Sequence, residues 1–154
     1  MAIPFAARIP FLEPIGCELQ RFEDGEAEIT LDVAERHTNS FGVAHGGLLM
    51  TLLDAAMAHA ARSLNRGQPD GGPGLVTLEM KTSFMRPGVG AIRAVGQVMH
   101  ATASLAFTEG KVLDAKGRVC AHATATFKFL RALPVSEREV RPAAPSNWQG
   151  SGSD

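Results

Sequence analysis

Two periodicities divide the chain. Ala27, Ile29, Leu31 and Val33 alternate with Glu26, Glu28, Thr30 and Asp32, the period-two pattern of a half-solvated antiparallel strand. Asp24-Gly25 before it is a hairpin signal, and Gly16 to Phe22 supplies a short first arm. From Gly46 to about Leu64 the rule changes. Ala, Leu and Met dominate and the segment is apolar nearly all round, which predicts a largely buried helix of roughly 28 Å. Asn65 to Gly74 is a loop rich in Gly and Pro. Four strands are expected next, over Leu75–Met85, Ala91–His100, Ser104–Leu113 and Val119–Phe129, with turns at Pro87-Gly88 and Asp114–Gly117. In the last, Val119, Ala121, Ala123, Ala125, Phe127 and Phe129 share a face whose small alanines suit close approach of a helix.

The ends carry less pattern. Residues 1 to 15 hold three of the nine prolines and are expected to wrap the surface, anchored by Phe11, Leu12 and Ile15. Pro134 to Asp154 is polar, aperiodic and rich in Pro, Ser and Gly, as in a disordered tail. The expected division is a domain over 1–133 and a tail over 134–154. Strands beside one long helix indicate an α+β fold, a five- or six-stranded antiparallel sheet with one face covered by the helix. The other face needs a cover, and a homodimer is the economical one.

Composition narrows the partners. The 154 residues suffice for one sizeable core, and 45% hydrophobic with 20% charged residues at net charge −1 is a globular balance. Lys and Arg are scattered, which argues against nucleic-acid binding. The longest apolar stretch is interrupted by Thr51, Asp54 and His59, so no membrane span is expected. The first ten residues lack a secretory pattern, which points to the cytoplasm. Cys17 and Cys120 have no metal-site spacing and are expected to be reduced thiols; no metal site is expected.

The chemistry concentrates between Arg36 and Asp54. A polar loop carrying Asn39 and His45 opens through Gly46-Gly47 onto the apolar helix. Amides at a helix N-terminus stabilise negative charge, and glycines there allow close approach. Asp54 is a carboxylate among residues expected to be buried, an expensive place for an unpaired charge. By spacing it shares a helix face with Gly47, Met50, Thr51 and Ala58. An oxyanion donor cluster and a nearby acid or base are two parts of an acyl-transfer site. Each residue also has a structural role open to it. His45 could start the helix with its imidazole on a backbone carbonyl, Asn39 could be a left-handed loop residue, and Thr77 could simply favour a strand. His59, His100 and His122 read as structural or surface residues.

The ordered set Asp24-Gly25, Asn39-x-x-Gly42-x-x-His45-Gly46-Gly47, Asp54, Val76-Thr77-Leu78-Glu79-Met80, Phe84-Met85-Arg86-Pro87, Leu105 to Gly110 and the closing Ala-Thr-Ala-Thr-Phe127 strand resembles the hotdog-fold acyl-CoA thioesterases. It resembles specifically the branch of the 4-hydroxybenzoyl-CoA thioesterase superfamily that includes the phenylacetate-pathway thioesterases. The resemblance implies a curved antiparallel sheet wrapped around one helix, and hydrolysis of an acyl- or aryl-CoA to acid and coenzyme A without a separate cofactor. It also implies a homodimer with the site at its interface, paired into a homotetramer. Residue by residue, it implies that the Gly46 N–H polarises the thioester carbonyl and that His45 orients the thioester or helps shape that oxyanion hole. Asn39 positions the attacking group, Asp54 is the catalytic carboxylate lent across the interface, and Thr77 holds the water beside it. Gly47, Met50 and Arg86 are the expected substrate contacts. Many relatives carry a basic pair where this chain has Thr102 and Ala103; Arg86, ahead of Arg62, Arg66 and Arg93, is the substitute for that contact with coenzyme A phosphates. Two rival activities fit the same fold: an enoyl-thioester hydratase or dehydratase, and a non-catalytic acyl-CoA-binding module.

Overall fold

The computed structural model describes residues 1–133 and the short strand at 138–139. Strands β1 (Glu18–Glu23) and β2 (Glu26–Asp32) form the expected hairpin. Asp24 and Gly25 have φ of 51° and 78°, the pair of left-handed residues that a two-residue hairpin turn favours. Helix α1 spans Gly46–Ser63. Strands β3 (Gly74–Phe84), β4 (Ala91–Ala101), β5 (Leu105–Leu113) and β6 (Val119–Leu130) complete an antiparallel sheet in the order β1-β2-β4-β5-β6-β3. This is the α+β hotdog arrangement, with six strands around one helix. The chain's third strand closes the far edge of the sheet, and β1 forms the other edge. Two further strands, β7 (Ala132–Leu133) and β8 (Arg138–Glu139), pair with each other. The rest of the expected tail lies outside the described residues.

What brings helix and sheet together is the absence of side chains. A Cβ on Gly96 in β4 would lie 2.6 Å from the Ala56 carbonyl of α1. One on Gly110 in β5 would lie 3.0 Å from Met57 Cγ. Around them Ala27, Ala94, Ala106, Ala121, Ala123 and Ala125 are buried, and Leu49, Leu52, Leu53, Met57 and Phe127 fill the remaining space. The alternation in β6 runs as expected, Ala121 to Phe127 inward at every second position.

The helix is largely buried, as expected, with one open stripe, and one expectation about the leading segment needs correcting. The stripe of Gly47, Met50, Thr51, Asp54 and Ala58 stays exposed or half-buried; among the described residues it is met by the leading segment and by Thr77 and Met80 of β3. In the leading segment Leu12 is buried but Phe11 is 69% exposed; it sits on the rim of a cleft rather than in the core. Cys17 and Cys120 are buried free thiols.

The Gly96 contact makes a direct prediction. Gly96→Val forces backbone apart and should cost about 3 kcal/mol in urea denaturation, whereas Gly67→Ala, with nothing within 4 Å of the added carbon, should change stability little.

Candidate active site

The loop before α1 is built on His37. This buried imidazole accepts the Ala34 N–H at Nδ1 (2.9 Å) and, through Nε2, donates to the Ile15 carbonyl (2.8 Å). The amide-accepting Nδ1 fixes that tautomer. Its backbone carbonyl accepts the His45 N–H at 2.9 Å, and Ala44 N–H reaches the Gly88 carbonyl at 2.8 Å. The mouth of the helix is thereby tied both to the leading segment and to the loop after β3. Within the loop Asn39 Oδ1 accepts N–H groups from Phe41 (2.9 Å) and Val43 (3.4 Å). Its carboxamide oxygen therefore shapes the turn, and only its NH₂ is left to face outward.

His45 is the helix N-cap. Its Nδ1 accepts the Gly47 N–H at 2.8 Å, so its neutral form carries the proton on Nε2 as an exposed donor. The imidazole meets a backbone amide here, not a carbonyl. Gly47 thus has its N–H engaged, whereas the Gly46 N–H has no partner among the described residues. The ring of Phe84 lies 3.5 Å from where a Gly46 Cβ would be, so the end of β3 covers the helix mouth. Arg86, two residues on, is exposed at this same end with Nη1 on the Val119 carbonyl at 3.0 Å. The other arginines named above are placed differently: Arg66 bonds the Phe22 carbonyl at 2.6 Å, Arg93 pairs with Glu28 at 3.4 Å, and Arg62 lies in the last turn of α1. Thr102 Oγ1 accepts the Leu105 N–H at 3.0 Å and holds the β4–β5 turn.

Asp54 stands eight residues further along α1, about 12 Å along the helix axis from Gly46. Thr77 Oγ1 donates to its Oδ1 at 2.7 Å. The register of β3 against β6 shifts between Thr77 and Glu79, a bulge of the kind that re-aims side chains. The Asp54 carboxylate borders a mainly apolar cleft of about 320 Å³, walled by Ile9, Phe11, Leu12, Met50 and Met80. One chain therefore brings Asp54, Thr77 and Met50 together at one place, and Asn39, His45, Gly46 and Arg86 at another. A larger cleft of about 580 Å³ between β2, β4 and the turn after β5 mixes Arg36 and Arg93 with Asp32 and Asp114 and contains none of these residues. Among the described residues no group of three or more His, Cys, Asp or Glu could hold a metal ion, and no helix is long and apolar enough to cross a membrane.

Sequence reasoning missed two histidines. His37 carries no motif of its own; its role appears only with the loop folded. His59 was read as structural or surface, yet it lines the Asp54 cleft. It is buried, its Nδ1 lies 2.7 Å from the Ala55 carbonyl, and the rings of Phe5 and Phe22 meet it edge-on at 5.2 and 5.9 Å.

Comparison with known proteins agrees with this architecture. The family model described as the thioesterase superfamily matches residues 41–121. A putative esterase of Saccharolobus solfataricus is 28% identical over 118 residues, covering 76% of this chain and 75% of that one. Mouse acyl-coenzyme A thioesterase 13 is 32% identical over 83 residues, 54% of this chain and 51% of that one. The structure of a variant of the phenylacetic acid degradation protein PaaI from Thermus thermophilus superposes with a TM-score of 0.68 at 30% identity, covering 79% of this chain and all (100%) of that one.

His59 gives the site a pH signature. Burial pushes its pKa below the ordinary 6.5, and nearby Arg62 acts in the same direction against the Ala55 hydrogen bond. Below about pH 6.5 the unfolded chain binds a proton that the folded chain resists, so stability should fall as pH drops from there towards the folded value and be insensitive to this group above it. Denaturation of wild type and His59→Phe at pH 7.5 and 5.5 should show a smaller acid loss in the variant.

Proposed function

The chain belongs to the thioesterase superfamily and is a thioester hydrolase, and we propose that it splits an acyl-CoA thioester at a site made by two protomers. The observation that carries this reading is the two-turn separation of Gly46 from Asp54 within one chain. An amide and a carboxylate about 12 Å apart cannot act on one carbonyl carbon, so a second chain has to supply one of them.

The edge strand β3 supports a way to do so. Among the described residues it is unpaired on its outer side, and it carries exposed Leu78 (54%) and Phe84 (52%), with Met85 (56%) just beyond. Its Thr77 end holds Asp54, and its Phe84 end covers Gly46. Antiparallel pairing of two copies of β3 about a twofold axis sets the Thr77–Asp54 end of one against the Phe84–Gly46 end of the other, twice over. It also covers open sheet-edge groups and apolar side chains that are costly to leave in water. Exposed Met99 and Phe107 on the sheet offer further apolar surface for two such dimers to form a homotetramer, and the composition fits a cytoplasmic enzyme.

In the proposed reaction the acyl group lies in the Asp54 cleft and its carbonyl oxygen points at the Gly46 N–H, where the helix dipole adds positive potential. The Nε2–H of His45 is a second donor, and the NH₂ of Asn39 faces the same mouth. Thr77 occupies Oδ1 of Asp54 and leaves Oδ2 to deliver the attack, directly or by deprotonating a water. The C–S bond breaks, the coenzyme A sulfur leaves and takes up a proton, and the water oxygen ends in the free acid. Arg86 is the cation at that mouth for the coenzyme A phosphates. Water, backbone amides and one carboxylate suffice, and no cofactor enters the reaction.

Thiol release from an acyl-CoA panel tests the activity. Asp54→Asn should lower turnover roughly a thousandfold and keep the fold. Gly46→Pro removes the N–H at a helix position that tolerates proline and should lower turnover about a hundredfold or more. Neither variant should work alone, but co-expression should restore activity, since a mixed dimer has one site with both parts intact. Failure of that rescue, with mixed dimers shown to form, sinks the two-protomer site. Thr77→Val should reduce kcat about tenfold through loss of one hydrogen bond, with KM little changed.

A further inference from the structure

We propose that charge sets how two protomers align along β3: Lys81 of each faces the partner's Glu79 across the seam, which places the twofold axis at Met80. This rests on the reading of the site as one shared by two protomers, and it names the register in which the sharing occurs.

The middle of β3 has two distinct faces. Met80 lines the Asp54 cleft, the ring of Phe84 lies against Gly46, and Thr82 between them has a sealed hydroxyl. The even-numbered residues therefore face α1. Glu79, Lys81 and Ser83 are exposed on the opposite face, as strand alternation requires. The neighbouring strand does not neutralise the two charges. Glu79 lies across from Thr126 and Lys81 from Thr124. The Thr126 hydroxyl donates to Glu79 Oε1 at 2.7 Å, which leaves Oε2 to a cation. Among the described residues neither Glu79 nor Lys81 joins an ion pair. Opposite charges thus stand two residues apart on an edge strand, both turned to solvent.

Antiparallel pairing of β3 with its own copy permits few alignments. Residues directly opposite one another share a face, so a shift of one residue sets helix-facing side chains against solvent-facing ones. Alignments therefore differ in steps of two, and each puts one residue on the axis, facing its own copy. With Lys81 on the axis two ammonium groups meet, and with Glu79 there two carboxylates meet. Like charges directly opposite destabilise a strand pair. With Met80 on the axis, Lys81 faces the partner's Glu79 and Glu79 faces the partner's Lys81, because a twofold contact is reciprocal. The next alignments further out set both charges opposite uncharged residues and forgo the attraction.

Exposed ion pairs add little to affinity. Their larger effect here is on which alignment wins, since the adjacent ones turn attraction into repulsion. The favoured alignment also suits the site. Met80 walls the Asp54 cleft, so its place on the axis brings the two clefts side by side. Thr77, which holds Asp54, comes to stand near the partner's Ser83, next to the phenylalanine that covers Gly46.

Charge reversal in the whole chain tests the alignment, with association as the readout, so turnover does not enter. By sedimentation equilibrium, Lys81→Glu and Glu79→Lys should each dissociate about tenfold or more readily than wild type, since either reversal sets like charges opposite one another twice. Mixed in equal amounts, with one isotope-labelled so that masses separate, the two variants should form heterodimers of near wild-type affinity in preference to either homodimer. Lys116→Glu makes the same charge change at an exposed position in the turn after β5 and should leave association unchanged. Either β3 variant dimerising as tightly as wild type, a mixture without heterodimer preference, or an equal loss in Lys116→Glu overturns the alignment. If a reversal fails to fold, Lys81→Gln and Glu79→Gln should still weaken association, by less, and no weakening in either counts against it. A wild type that stays monomeric removes the two-protomer site and the alignment with it, whereas a wild-type dimer indifferent to both reversals removes the alignment alone.

Discussion

The separation between helix and sheet at Gly96 governs the rest of the structure. With no carbon on that residue the Ala56 carbonyl lies against the β4 backbone, and the small residues on β2, β5 and β6 let the other strands curve up beside the helix. Interiors are packed densely enough that an added methyl group is felt. The small-residue floor is thus a positioning device as much as a core. It fixes how deep the helix sits and, through that, which of its stripes remains open. Had the helix stood further off, Thr77 on the edge strand could not reach Asp54.

The open stripe and the open edge follow from the same geometry. One sheet covers one side of α1, so the side bearing Met50, Asp54 and Ala58 is left to the leading segment and to whatever lies across β3. The site residues are distributed accordingly. The amide end is secured by His37, which ties the loop to Ile15, and by the Ala44–Gly88 hydrogen bond. The carboxylate end is secured by Thr77 and by the bulge that aims it. On the proposed reading these are supports for two parts of a reaction centre that the protomer holds apart.

Much of this was legible in the sequence, for identifiable reasons. The alternation from Ala27 to Val33, the Asp24-Gly25 turn and the alanine face of β6 are local patterns with one geometric solution each, and the helix start at Gly46 is marked by its glycines. Asp54 announced itself as a carboxylate in an apolar run. Gly96 and Gly110 did not, because a glycine in a strand has no periodic signature and its use depends on what crosses over it. Phe11 looked like an anchor by hydrophobicity alone, and only the fold reveals the cleft at its side. His59 was unreadable for a similar reason: its tautomer is set by a carbonyl one turn back, and its relation to the cleft by a segment some fifty residues earlier. The direction of the His45 hydrogen bond, to an amide rather than a carbonyl, depends on a rotamer that no pattern encodes.

The bulge beside Leu78 has a bearing on activity as well as on geometry. On the proposed pairing, the seam between protomers runs along β3, and a slip of two residues there displaces the facing ends by about 6.6 Å while leaving every side chain on its own face. Both catalytic centres come apart in the same movement, with the subunits still folded and still associated. An irregular strand can nest against its twin in fewer ways than a smooth one. On that pairing, a substitution that straightens β3 silences the enzyme without touching any group that handles the substrate.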